Sequence, residues 1–215
     1  MTRRLLLGSR SRHKLDELRE LLRLDGVELM TADDIGVKGD PVEDADTFEG
    51  NAAIKARYYA AASGLPTLAD DSGLEVEALD GGPGIATRRY AGPDATDEDN
   101  IRKLLAALDG LPADERRARY VCVLAYLEPT SGTDILLTRG TFDGRIAAAP
   151  RGTGGFGYDP IFEPADEPAG GRTVGQLTPA EKHARSHRAK AADAMAVSLR
   201  ALGWSSARPD DEPAG

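Results

Sequence analysis

Short apolar runs alternate along this chain with segments whose leucines recur at helical spacing, and that alternation restricts it to the α/β or α+β classes. Leu5 to Leu7 reads as a short buried strand. Lys14 to Leu24 reads as a helix, with Leu15, Leu18, Leu21 and Leu22 on one face and Gly26 as its stop. Glu28 to Thr31 is a second strand, after which Asp33 to Asp46 is acidic and loop-like. A second helix begins near Thr47, runs through Lys55 to about Ala62, and is closed by Gly64 and Pro66. The apolar run Leu65 to Ala69 is a strand that ends at Asp70 and meets a turn at Asp70-Asp71-Ser72-Gly73. Leu74 to Ala78 alternates like an exposed strand, and Gly81-Gly82-Pro83-Gly84 is a turn. Thr96 with Asp99 resembles a capping box for a helix whose Ile101, Leu104, Leu105 and Leu108 form one apolar face. Tyr120 to Leu127 and Ile135 to Ile146 read as strands, the second as a hairpin, which predicts mixed strand directions. Thr178-Pro179-Ala180-Glu181 starts a helix running to Leu202, with a break near Ser186 that would let this serine cap a second segment. No repeat or linker divides the chain, so one domain is expected over residues 1–204. The Pro- and Asp-rich stretch 205–215 reads as a disordered tail.

With 215 residues the chain is long enough to bury a real core, and with aromatics at 5% that core should be aliphatic. A formal charge of −9 argues against a nucleic-acid polymer as partner, because such proteins carry a basic face. A small anionic substrate needs only a local cluster of Lys and Arg. The single cysteine, Cys122, lies in an apolar run and reads as a core residue, consistent with a reducing cytoplasm. Leu5-Leu6-Leu7 is too short for a signal-peptide core and no run approaches a membrane span, so cytoplasmic localisation is expected.

Two segments carry unusual chemistry. Asp70 and Asp71 are adjacent carboxylates that repel, and magnesium, which takes hard oxygen ligands and completes its shell with water and phosphate, is the natural cation to hold them. A solvated turn is the plainer reading. The second segment, Gly152 to Pro160, contains G-x-G-x-x-G, yet Tyr158-Asp159-Pro160 follows at once, where a dinucleotide fingerprint would open a helix. A loop whose only large apolar groups are Phe156 and Tyr158 suits wrapping a planar base, or is simply a tight structural loop. Ser9-Arg10-Ser11-Arg12-His13-Lys14 joins a strand to a helix and is either an anion site or a basic surface turn. Lys55 reads equally as a phosphate ligand or a solvated lysine. Lys182, His187 and Arg188 come together if Ser186 caps a new helix; His187 alone reads as a structural histidine. Three histidines without HExxH-like spacing argue against zinc.

Taken together, Ser9-x-Ser11-x-x-Lys14, Thr47-Phe48-Glu49-x-Asn51-Ala52-x-x-Lys55-Ala56, Asp70 to Leu74, Pro83-Gly84 with Arg89-Tyr90, Gly152 to Pro160 and Ser186-His187-Arg188 resemble the inosine triphosphate pyrophosphatase family. The resemblance implies an α/β fold with a mixed, strongly twisted sheet in two lobes flanked by helices, an active-site cleft between the lobes, and a homodimer. It also implies a Mg2+-dependent cut of ITP, dITP and XTP between the α and β phosphates, giving the monophosphate and pyrophosphate. Carried over by residue, Asp71 matches the metal-binding carboxylate and proton acceptor, with Asp70 beside it and Glu43 as a further acidic ligand or a group behind the ligands. Ser9, Arg10, Ser11, Arg12, His13 and Lys14 match the phosphate-binding turn and Lys55 a second phosphate contact. Ser72, Phe156, Gly157, Tyr158, Asp159, Lys182, His187 and Arg188 match the nucleotide-binding positions. The family usually has asparagine where this chain has Ser11 and often glycine where it has His13. Two other readings stay open: a related pyrophosphatase for modified pyrimidine or 7-methylguanine triphosphates, and a non-catalytic nucleotide sensor.

Overall fold

Leu5, Leu6 and Leu7 have no exposed surface because they sit mid-sheet in strand β1 (Arg3–Leu7), which pairs in parallel with β2 (Val27–Thr31) and β3 (Thr67–Val76). Parallel neighbours need crossovers, and the chain supplies helix α1 (Arg12–Leu22) before β2 and α2 (Phe48–Ser63) before β3. The computed structural model describes residues 2–130 and 134–204, so the tail expected over 205–215 lies outside the described residues. Its sheet has seven strands in the order β2-β1-β3-β5-β6-β7, with β4 (Pro83–Gly84) antiparallel to β3. Strands β5 (Arg117–Leu127), β6 (Leu136–Ile146) and β7 (Phe162–Pro164) follow, β6 and β7 being antiparallel. The remaining helices are α3 (Asp97–Ala107), α4 (Pro179–His183) and α5 (His187–Ala201). The fold is a mixed α/β fold, as expected.

The contacts divide into two compact units. The first comprises residues 1–71, 123–139 and 191 onward; the second comprises 72–122 and 140–190. In the first, Leu15, Leu18 and Leu22 of α1 and Ala52, Ala56, Tyr59 and Ala60 of α2 are buried. Ser11 caps α1 by accepting from Lys14 N–H, and Thr47 caps α2 by accepting from Gly50 N–H. In the second, Leu74, Val76, Ile101, Leu104, Phe142, Tyr158, Ile161 and Phe162 form the core, with Tyr120 packed 4.5 Å from Phe162 between ring centroids. Both elements of the Thr96–Asp99 capping box are made. Cys122 is fully buried in β5.

Three local expectations are corrected. Helix α1 stops at Leu22, where Arg23 turns left-handed at φ 48°; Gly26 serves the turn into β2, its carbonyl accepting from Arg3 N–H at 2.9 Å. Residues 136–146 form one continuous strand, not a hairpin. Gly144 there permits close approach to β7, since a Cβ would lie 2.3 Å from the Glu163 carbonyl oxygen. Finally, Asp70-Asp71-Ser72-Gly73 is not a turn, because β3 runs unbroken from Thr67 to Val76. Sheet pairing overrides the turn preference of these residues. No described helix is long and apolar enough to cross a membrane.

Candidate active site

Where β3 emerges from the apolar run, two acids meet two lysines inside the first unit. Asp70, 1% exposed, accepts from Lys14 Nζ at 2.9 Å, which the first turn of α1 aims at it. Asp71 accepts from Lys55 Nζ at 2.9 Å, and the same ammonium donates to Glu43 Oε2 at 2.7 Å. Glu43, on the acidic loop, thus has the partner that its sequence context did not disclose. Three carboxylates face two ammoniums, so the group keeps a net negative charge.

Burial is the largest influence on Asp71 and raises its carboxyl above the ordinary 3.8; the charge and hydrogen bond of Lys55 oppose this, while Glu43 and Asp70 add to it. Burial pulls Lys55 down, but the charges of Asp70 and Asp71 and the bonds to Glu43 and Asp71 outweigh it, so its net shift is upward from 10.5. An ammonium therefore stands beside a carboxylate whose proton affinity is raised above the ordinary. Among the described residues no three acid, histidine or cysteine side chains are arranged to hold a metal by themselves. Magnesium asks for less: one or two carboxylate oxygens, with water and phosphate completing its shell. The hard, net-negative donor set around Asp71 fits that requirement.

Only part of the basic turn joins these acids. Arg10 donates to Asp40 at 3.1 Å and to the Val37 and Gly39 carbonyls at 3.1 and 2.7 Å, and pairs with Asp33; Arg12 pairs with Asp34. Both arginines tie down the acidic loop, and Tyr59 hydroxyl adds a 2.6 Å bond to Asp40. Ser9 Oγ accepts from Ser11 N–H at 3.2 Å, and His13 lies exposed on α1. Of the predicted turn, Lys14 is hydrogen-bonded to the β3 acid Asp70. Ser72 follows Asp71 on β3 but belongs to the second unit.

In that second unit, the glycine loop is held by acceptors of its own. Gly154 N–H donates to Gly175 carbonyl at 2.9 Å, Phe156 N–H to Asp159 Oδ2 at 2.9 Å and Gly157 N–H to Asp97 Oδ2 at 2.6 Å. Those amides are committed to protein acceptors. Gly155 is needed as glycine: at φ 78° its Cβ would stand 2.0 Å from Asp159 Oδ2. The two aromatics separate sharply. Phe156 is 56% exposed, whereas Tyr158 is 2% exposed in the core with its hydroxyl donating to Thr87 carbonyl at 2.9 Å. The Tyr158 ring thus lies in the core, and Phe156 is the exposed ring of the two.

Buried Asp159 gathers the rest. Its Oδ2 accepts from Lys182 Nζ at 2.6 Å and its Oδ1 from Tyr120 hydroxyl at 3.2 Å, and Lys182 Nζ lies 4.4 Å from the Phe156 ring centroid. The break at Ser186 is real. Ser186 Oγ accepts from Ala189 N–H at 3.0 Å, and His187 and Arg188, both largely buried, open α5. His187 stacks on Tyr120 with centroids 5.1 Å apart and planes 16° from parallel. Sequence reasoning missed Tyr120, seen only as part of an apolar strand, Asp97, seen only as part of a capped helix start, and Thr87, which lay in neither.

Helix α4, which carries Lys182, has a pH-sensitive start. Thr178 N–H, then Arg172, then Thr178 hydroxyl bond Glu181 and hold its carboxyl down at about 2, against an ordinary 4.5. A depressed acid stabilises the fold above its unfolded value and loses that contribution as pH falls through the folded one. Amide protection at the first turn of α4, measured against the intrinsic exchange rate at each pH, should therefore fall progressively as pH drops from 4.5 to about 2, and Glu181→Gln should flatten the response. An onset at neutral pH would contradict the assignment.

A profile described as the Ham1 family matches residues 5–198. A dITP/XTP pyrophosphatase of Methylococcus capsulatus is 45% identical over 202 residues, covering 94% of this chain and 98% of its own. The dITP/XTP pyrophosphatase of Escherichia coli K12 is 45% identical over 188 residues, 87% of this chain and 93% of its own. Among solved structures, a HAM1 protein from Coxiella burnetii superposes with a TM-score of 0.85 at 41% identity, covering 93% of this chain and 99% of its own. With a family profile spanning nearly its whole described length and relatives of this similarity aligned end to end, the chain belongs to the Ham1 family.

Proposed function

We propose that this chain is a nucleoside triphosphate pyrophosphatase that hydrolyses the nonstandard purine nucleotides ITP, dITP and XTP to the monophosphate and pyrophosphate, with magnesium as cofactor and a homodimer as the working form. The observation that carries the reading is the net-negative group of Asp70, Asp71 and Glu43 interlocked with Lys14 and Lys55. The dITP/XTP pyrophosphatase relatives support it. Asp71, with Asp70 and Glu43, would hold magnesium, which when bound neutralises phosphate charge and favours attack at phosphorus.

The chain's own groups do the remainder. Asp71, its proton affinity raised by burial, takes a proton from the attacking water. The water oxygen bonds to the α phosphorus as the bond to the bridging oxygen breaks, and pyrophosphate leaves with that electron pair. Lys14 and Lys55 balance the phosphate charge. In the second unit, Phe156 stacks on the base while Lys182, held by Asp159, donates to its 6-oxo group; His187 and Arg188 complete the base-binding set.

Phe156→Ala should raise KM for ITP about tenfold through lost stacking, with kcat little changed and thermal stability preserved because the ring is exposed. An unchanged KM in steady-state assays removes the stacking role. The function itself is tested by a hydrolysis panel of ITP, XTP, dITP, GTP, ATP, a modified pyrimidine triphosphate and 7-methylguanosine triphosphate, with magnesium and with a chelator. Preferential, magnesium-dependent release of pyrophosphate from the first three supports the proposal, and cleavage of none of the three overturns it.

A further inference from the structure

We infer that Tyr120 is a positioning residue for the base-binding group, acting through Asp159 and His187 without touching the nucleotide. The inference rests on the proposed function and concerns one strand residue outside the expected site. Tyr120 stands in β5, buried against both Phe162 and His187. Its hydroxyl donates to Asp159 Oδ1 at 3.2 Å, while the other oxygen of that carboxylate holds Lys182 Nζ at 2.6 Å and Phe156 N–H at 2.9 Å. One rigid ring on a sheet strand therefore has a hold on every group assigned to the base except Arg188.

The hydroxyl is what makes this more than packing. A core ring here could as well be phenylalanine, but a buried tyrosine needs a partner, and its partner is the carboxylate that orients Lys182. Without it Asp159 is held through Oδ2 alone, by Lys182 and Phe156 N–H, and its soft terminal torsion loses the restraint on Oδ1 that fixes where Oδ2 holds the ammonium. Burial, then the charge of Asp159, raises the Tyr120 hydroxyl far above its ordinary value, so it remains a donor throughout the working pH range. Stacking does the corresponding work for His187, fixing the plane of an imidazole at the start of α5.

Two variants separate these holds. Tyr120→Phe keeps the ring and removes the hydroxyl; Tyr120→Leu removes both. With the best substrate of the panel, Tyr120→Phe should raise KM about five- to tenfold while kcat stays within about twofold. The ring-current-shifted His187 proton signals, assigned by NMR, should be retained in Tyr120→Phe and lost in Tyr120→Leu. A wild-type KM in Tyr120→Phe, or a loss confined to kcat, overturns the hydroxyl's role; His187 signals unmoved in Tyr120→Leu overturn the stacking role. Should the unmodified protein cleave no triphosphate, the proposed function fails separately. Calorimetric titration with ITP then decides this inference, a weaker Kd in Tyr120→Phe supporting it and an equal Kd, or no binding to either protein, overturning it.

Discussion

Asp71→Asn leaves the chain folded and lowers kcat about 10³-fold or more, because one substitution removes both a cation ligand and the proton acceptor. The amide keeps the size of the carboxylate, and its oxygen still accepts from Lys55. What disappears is charge: three carboxylates against two ammoniums become two against two, and the pull on a divalent cation goes with it. The sign of the stability change sharpens the test. Burial raises the Asp71 carboxyl, so at neutral pH its charged form costs the folded state free energy that a neutral amide does not. The variant should melt at or above the temperature of the unmodified protein. A site held together at the expense of stability is what a functional constellation looks like. Turnover within about tenfold of the original at saturating magnesium, where a ligand-and-base loss calls for several kcal/mol, would remove Asp71 from its role.

The second large effect concerns substrate choice. ITP and XTP should exceed ATP at least about 10²-fold in kcat/KM, because Lys182 and Arg188 can only donate and adenine presents an amino donor where these bases present an oxygen. Lys182 cannot turn away, since Asp159 holds it at 2.6 Å. Arg188→Ala should shrink the ratio by weakening ITP and XTP more than ATP. Equal losses on all three would assign Arg188 to the phosphates, and an ATP rate close to the ITP rate would overturn the proposed selectivity. Any general disturbance from truncating this largely buried arginine falls on every substrate and cancels in the ratio.

Much of the fold was legible because its signals are local. The capping boxes at Thr96 and Thr178, the stop at Gly64 and the cap at Ser186 are each written within a few residues. The misses came where distant partners overrule local preference. Asp-Asp-Ser-Gly is turn-forming in isolation, but β3 continues through it because the strand is paired on the sheet. The same limit applies to the site. Lys14, Lys55 and the two aspartates were legible as a set through the pattern they share with a family, whereas nothing local disclosed the four acceptors that Arg10 meets on the acidic loop. Tyr158 shows the converse, an aromatic in a glycine-rich segment that the core claims. Tyr120 carried no signal at all, since nothing about a tyrosine in an apolar strand tells which carboxylate its hydroxyl will meet 39 residues later.

The division of the chain into two interleaved units has a consequence for how the protein can be made. The path leaves the first unit at residue 71, returns at 123, leaves again at 139 and returns for good at 191, each time inside a strand or helix. Every residue of the second unit is thus translated before the segment from 191 onward that completes the first, although the first began at the amino terminus. On the ribosome, the half bearing Asp70, Asp71 and Lys55 must wait for the last stretch of α5 to leave the exit tunnel, while the half bearing the glycine loop has its full sequence sooner. A nascent chain arrested when residue 190 has just cleared the exit tunnel should therefore protect the second half from protease and leave the first half open to it.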